Sequence, residues 1–178
     1  KVFASDDKNN RIQAEYAEYD EAKKIFRTKG TTKVFTSENY IIESEDITLD
    51  NKKFLIVSNK NSRISDQDKN IITLENFKYL TKKNIFKSIG YIEVEDTLKN
   101  NYEFSQIYID TKKKEILGTD IKAFLNQKNF KINKDNKPRV FANTISLDKE
   151  KRSFNKSIFT LCDYRENDKC PPWIVQAS

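Results

Sequence analysis

The chain predicts an all-β fold, an elongated stack of about five copies of one thirty-residue unit, on three observations. A lysine-rich turn recurs every thirty residues, the apolar positions recur at the same spacing, and within each unit apolar and polar residues alternate with a period of two. A fixed period of this size marks a supersecondary unit that buries its apolar face only by stacking on copies of itself. A period of two is that of a strand with one face buried.

The first unit carries Ile12, Ala17 and Tyr19, the turn Asp20-Glu21-Ala22-Lys23-Lys24, then Phe26 and Val34. A helix over Ile12 to Lys24 is the one rival reading. It fails because the same register copies onto Ile42 to Lys53, where Ile41-Ile42 and Ile47-Thr48-Leu49 have strand character. The second unit continues with Ile42, Ile47 and Leu49, the turn Asp50-Asn51-Lys52-Lys53, Ile56 and Ile64. In the third stand Ile72, Phe77 and Tyr79, the turn Leu80-Thr81-Lys82-Lys83, Phe86 and Val94, the last within the alternating run Tyr91-Ile92-Glu93-Val94-Glu95. The fourth holds Tyr102, Ile107 and Ile109, the turn Asp110-Thr111-Lys112-Lys113, Ile116 and Phe124. An insertion around Gln127 to Lys137 delays the fifth unit by eight residues; Val140, Ala142, Ile145, Leu147, the turn Leu147-Asp148-Lys149-Glu150-Lys151 and Phe154 then resume the pattern. The period accommodates two long strands or three short ones. Gly30 and Gly90, sixty residues apart, are expected as turn glycines with positive φ, each starting a strand.

With 178 residues, one elongated domain over residues 1–160 is expected, followed by a cysteine-containing loop and junction over 161–178. Charged residues make up 34% and apolar ones 37%, a balance that admits disorder, but disordered chains do not keep apolar alternation in strict register. No run approaches the ~20 apolar residues of a membrane-spanning helix. The chain begins at Lys1 and holds no Met, so Lys1 is expected to follow a removed segment.

Catalysis has little to draw on. Histidine, the usual general base, is absent, and the three glycines, Gly30, Gly90 and Gly118, form no phosphate-binding loop. Carboxylates such as Glu43, Glu45, Asp46, Glu93, Glu95 and Asp96 are expected on solvated outer faces of strands. No enzyme, cofactor or catalytic residue is expected. Cys162 and Cys170 lie in a polar loop with seven residues between them. That spacing admits a disulfide, worth on the order of 2–3 kcal/mol in an oxidising compartment, reduced thiols, or pairing with another chain. One cysteine pair without histidine does not make a structural zinc site.

The net charge of +6 invites a nucleic-acid reading, but the lysines recur at turns, where stacking aligns them as a basic stripe along one edge. Solvated turns that protect strand edges account for such a stripe, with binding of anionic lipid headgroups the functional alternative. Nucleic acid is not an expected partner. The remaining feature is the inner face. Two sheets facing each other would line a continuous interior with Ala17, Tyr19, Val34, Ile47, Leu49, Ile64, Phe77, Tyr79, Val94, Ile107, Ile109, Phe124, Ile145 and Leu147. Periodicity does not separate a closed core from an open groove, and a purely structural β-repeat module or a polyanion-binding surface remain competing readings.

The units resemble a known family. Gln13-Ala14-Glu15-Tyr16-Ala17-Glu18-Tyr19-Asp20 followed by Thr28-Lys29-Gly30-Thr31-Thr32-Lys33-Val34 is similar to the OstA-like repeats of the LptA/LptD family of lipopolysaccharide-transport proteins. Leu161-Cys162 through Cys170-Pro171-Pro172-Trp173-Ile174-Val175-Gln176-Ala177 resembles the junction that ends the periplasmic domain in the LptD branch, before its transmembrane barrel. The resemblance implies a twisted, V-shaped β jelly roll, a β-taco, whose apolar interior receives lipopolysaccharide acyl chains at the periplasmic face of the Gram-negative outer membrane. It further implies an LptA-like bridge protein docked by β-strand augmentation at the N-terminal rung, near Val2-Phe3 and Arg11 to Tyr19, and a barrel with an LptE-like plug outside this chain. Family disulfides tie this domain to the barrel, so Cys162 and Cys170 are each candidates for partners beyond the chain.

Overall fold

The computed structural model describes residues 1–5, 9–129, 138–148, 151–161 and 174–177. Alternating apolar residues over long stretches, punctuated by four-residue turns, give strands β1 (Val2–Ser5), β2 (Arg11–Asp20), β3 (Ile25–Phe35), β4 (Ile41–Glu45), β5 (Thr48–Asp50), β6 (Leu55–Ser58), β7 (Ser62–Ser65), β8 (Ile71–Leu74) and β9 (Phe77–Leu80). They continue as β10 (Ile85–Glu95), β11 (Asn101–Asp110), β12 (Glu115–Phe124), β13 (Arg139–Leu147), β14 (Arg152–Thr160) and β15 (Val175–Ala177). Among the described residues the helical content is one 3-10 turn, Gln127–Asn129, at the start of the expected insertion.

All fifteen strands belong to one antiparallel sheet folded upon itself. The long strand β3 pairs with β4 along its second half and β5 along its first, and β10 pairs with β8 and β9 in the same way. The short strands are therefore halves of long ones, interrupted where the sheet creases. Each thirty-residue unit contributes two long, bent strands, which decides between the two strand counts the period allows. Each long strand, continuous or interrupted, lends one half to each wall of a V-shaped, β-jelly-roll architecture.

Two families of turns close the strands, one at each lip of the V. Lysine turns at 21–24, 51–54, 81–84 and 111–114 stack through backbone hydrogen bonds from Asn51 N to Lys24 O, Thr81 N to Phe54 O and Thr111 N to Asn84 O. Lys24, Phe54, Asn84 and Lys114, thirty residues apart, all take positive φ, between 53° and 61°. That left-handed position returns the strand after a four-residue turn. On the opposite lip Asn9, Asn39, Lys69 and Lys99 take positive φ at the same interval. There Asn10, Asn70 and Asn100 accept hydrogen bonds on Oδ1 from the backbone of Ser37, Thr97 and Asn126 in the next unit.

The positive φ expected at Gly30 and Gly90 is present, 73° and 121°, but both lie inside long strands rather than at turns. They sit at register shifts, between Ala14 and Tyr16 on the strand facing Gly30 and between Ile89 and Ile92 around Gly90. A bulge inserts one residue and bends the strand there, which is how the crease is made.

Candidate functional site

The inner face is built from the repeating rows. Deepest lie Ile47, Phe77, Ile107 and Ile145, all buried, with Phe77 stacked on Phe86 at 5.4 Å between ring centroids. Two residues nearer the lysine lip, Tyr79 and Ile109 are buried while Leu49 and Leu147 are half-buried against the core. Val34 and Ile64 are buried, and Val94 packs on the core from a half-buried position. At the open first rung Ala17 is half-buried and Tyr19 is 46% exposed, because little chain stacks beyond it.

Phe124 departs from the expected row. It is 38% exposed, and Ala123 is the inward residue, opposite Tyr102 and Val140, as Val94 is opposite Tyr102. The cause is the bulge: β10 absorbs an extra residue near Gly90, whereas β12 pairs with β11 without a register shift, so the thirty-residue count slips by one. Cys162 and Cys170 lie outside the described residues, as does Lys149 of the fifth lysine turn.

The interior is neither sealed nor evenly open. An N-terminal chamber of about 430 Å3 is bounded by Ile12, Tyr19, Phe26, Val34, Leu49 and Ile56. A C-terminal chamber of about 480 Å3 is bounded by Ile72, Val94, Phe104, Ile116, Leu147 and Phe154. Both open at the lips. Between them the space narrows to about 20 Å3, framed by Tyr40, Ile42, Ile64, Tyr79, Phe86 and Ile109. Tyr79 and Thr36 are shared with the first chamber, Tyr40 and Ile109 with the second, so the three spaces follow one another along the V.

The neck has an identifiable origin. The lip row Asn10, Asn70, Asn100 carries Tyr40 at its second place, and that ring reaches into the interior. Burial, reinforced by the negative charges of Asp66, Asp68 and Glu38, pushes its hydroxyl up to about 12. From the other wall the Tyr79 hydroxyl donates to Thr111 Oγ1 at 3.3 Å, Thr111 itself donating to Asn84 O. Burial raises the Tyr79 hydroxyl as well. Both phenols stay neutral at any physiological pH, which suits an apolar passage.

Sequence reasoning missed the rows along the crease. Thr28, Ser58, Ser88 and Gly118 recur every thirty residues and are buried, as do Ala14, Ser44, Leu74 and Phe104. In the N-terminal half this crease is hydroxylic: Thr32 Oγ1 donates to Thr28 Oγ1 at 2.8 Å, Ser44 to Ser58 at 2.9 Å and Ser62 to Ser44 at 2.7 Å. In the C-terminal half Leu74, Ile92, Phe104 and Ile121 fill it. Gly118 is there because a Cβ would stand 2.4 Å from Phe104 Cδ1. The signal was available as small residues at a fixed interval. Such a row is masked in the sequence by the larger apolar residues that alternate beside it.

Among the described residues no group of three or more histidine, cysteine, aspartate or glutamate side chains is placed to hold a metal, and Tyr40 and Tyr79 are the titratable groups that frame the neck. No helix among the described residues is long and apolar enough to cross a membrane.

No family model matches the sequence, and no protein of described function does. Among solved structures, the fold is similar to LptH of Pseudomonas aeruginosa, the LptA-homologous periplasmic component of a conserved lipopolysaccharide-transport device. The TM-score is 0.52 at 22% identity, over 60% of this chain and 79% of that one. The chain thus shares its β-jelly-roll fold with an LptA-homologous protein.

Proposed function

We propose that the chain conducts lipopolysaccharide through its interior toward the Gram-negative outer membrane, acyl chains inside the V and sugars and phosphates outside. The observation that carries this reading is the succession of two lip-opening chambers, each walled by apolar rows and edged by polar and charged residues, joined by a neck of neutral side chains. Covering acyl carbons is worth roughly 0.8 kcal/mol per methylene, so partial shelter of a few chains outweighs the cost of leaving the trough unfilled. No bond is made or broken, and the drive for transport comes from elsewhere.

The ends support an assembly reading. β1 covers the outer edge of β2 only from Arg11 to Ala14, so that among the described residues the edge from Glu15 to Asp20, paired with β3 on its other side, has no strand beside it, and Phe3 is 71% exposed beside a shallow recess formed with Arg11, Gln13 and Phe35. An LptA-like partner adding a strand there would continue both the sheet and its interior. The tail resemblance favours the LptD branch, with residues 161–178 leading to a barrel and an LptE-like plug, and with Cys162 and Cys170 forming disulfides.

A photo-crosslinker at Tyr79 or Ile109 tests the conduit. Capture of lipopolysaccharide at these inward positions is expected; capture only from lysine-turn positions would replace the reading with surface binding. Leu49→Asp and Leu147→Asp, at half-buried positions, are expected to block loading while preserving strand content by circular dichroism. The fully buried Ile47 and Ile107 do not serve for this, because an unpaired charge there unfolds the wall itself.

A further inference from the structure

The two lips of the V differ in charge, acidic side chains outnumbering Lys69 and Lys99 on one, where Lys99 is paired with Glu95, and lysines prevailing on the other. One lip presents Glu38 to the N-terminal chamber and Asp66, Asp68 and Asp96 to the C-terminal one. Burial first, and then the negative charges of Asp66, Asp68 and Glu38, raise the Tyr40 hydroxyl beside them. The facing lip is the lysine lip, and its charge is uneven for a reason legible in the turns. Asp20, Asp50 and Asp110 head their turns and pair with Lys23, Lys53 and Lys113. The third turn has Leu80 in that place, so Lys82 and Lys83 meet no carboxylate from within their own turn; Lys82 lies over the Phe54 ring at 5.2 Å. The next turn holds Lys112, Lys113 and Lys114 against Asp110 and the adjoining Glu115, both of which pair with Lys113, and Lys114 borders the C-terminal chamber. Positive charge therefore peaks beside the neck, directly across the mouth from the acidic lip.

We propose that this polarity is a headgroup site: phosphates of an acylated, phosphorylated glycolipid lie along turns 81–84 and 111–114, and the acidic lip repels them, so the amphiphile sits in one orientation across the mouth. The inference rests on the conduit reading and adds which lip takes the anion. Charge complementarity at an exposed rim chooses orientation and steers encounter, and it is screened over about 8 Å at physiological ionic strength.

The test uses the full chain with two probes, diphosphorylated lipid A and the same lipid with both phosphates removed. Lys82→Glu with Lys83→Glu is expected to weaken binding of the diphosphorylated probe by roughly tenfold, given rim pairs worth about 1 kcal/mol or less each, and to leave the dephosphorylated probe unchanged. Glu38→Lys with Asp68→Lys is expected to tighten the diphosphorylated probe. Lys60→Glu with Lys78→Glu, the same change of net charge at exposed positions outside the turns of either lip, is expected to change neither. Equal weakening by the control pair, or equal loss of both probes, would overturn the headgroup site and leave the conduit standing. Failure of the unaltered chain to bind either probe would overturn both. Circular dichroism of each variant guards against misfolding, and loss of the probe difference at high salt is a further expected result.

Discussion

The N-terminal and C-terminal halves of the V share one backbone plan and are filled by different chemistry. In the first two units the crease is a ladder of hydroxyls, Thr28, Thr32, Ser44, Ser58 and Ser62, each satisfied by a neighbour or a backbone carbonyl. From the third unit on, the places of Ser44 and of Thr32 and Ser62 hold Leu74, Ile92, Phe104 and Ile121, around the buried Phe77, while the Thr28 and Ser58 row keeps one hydroxyl, Ser88, which donates to Asn76 O, before ending in Gly118. The difference shows that the repeat specifies where strands turn and bend, not what fills the bend. A hydroxyl row and an aromatic row both satisfy the same crease, provided buried polar atoms are paired in one and volumes match in the other. The neck marks the changeover.

Truncation should separate the halves most clearly. Phe77→Ala removes a fully buried, stacked ring and is expected to cost ~3–5 kcal/mol, whereas Ser44→Ala removes the bonds to Ser58 and Ser62, both of which keep a backbone carbonyl acceptor, and should cost only ~0.5–1.5 kcal/mol. Urea denaturation measures both. Equal costs would mean the hydroxyl crease is packed as demandingly as the aromatic one. Gly118→Ala follows Phe77→Ala in size. The new methyl meets the Phe104 ring, and forcing it in should cost ~1–3 kcal/mol, with Phe104→Leu relieving much of the loss in a double-mutant cycle.

Tyr79→Phe tests the boundary itself. Loss of the hydrogen bond to Thr111 should cost only ~0.5–1.5 kcal/mol, while Tyr79→Ala widens the neck and should speed passage of lipid between chambers, read as transfer from a donor to an acceptor chain. The smallest effect is in alkali. Burial and nearby carboxylates hold the hydroxyls of Tyr40 and Tyr102 up to about 12, Tyr102 donating to Asp96 Oδ2 at 3.0 Å. The folded values lie above the unfolded one near 10, so this contribution is full below pH 10 and is lost as pH rises through about 12. Phenolate absorbance should show these two tyrosines ionising late, Tyr102→Phe removing one step. Titration of all eight tyrosines together would contradict the burial described.

Much of this was legible in the residues. The thirty-residue period, the lysine turns and the inward rows through Ile47, Phe77 and Ile107 are local patterns, and the structure places them as the alternation implies. What escaped depends on register across strands. The outward turn of Phe124 follows from a bulge present in β10 and missing from β12, which no single strand reveals. Tyr40 reads as one more apolar residue until its place in the Asn10, Asn70, Asn100 row is seen. Gly30 and Gly90 signalled positive φ correctly, but only pairing shows that they bend strands instead of ending them.

The central claim, that lipid occupies the inside of the V along its length, is tested most directly by nitroxide labels at inward Leu49 and Leu147 and at outward Tyr108 and Leu117, the last two exposed. Adding lipopolysaccharide should immobilise both inward labels, one in each chamber, and leave the outward pair unchanged. Immobilisation at Tyr108 and Leu117 alone, or at no position, would contradict it.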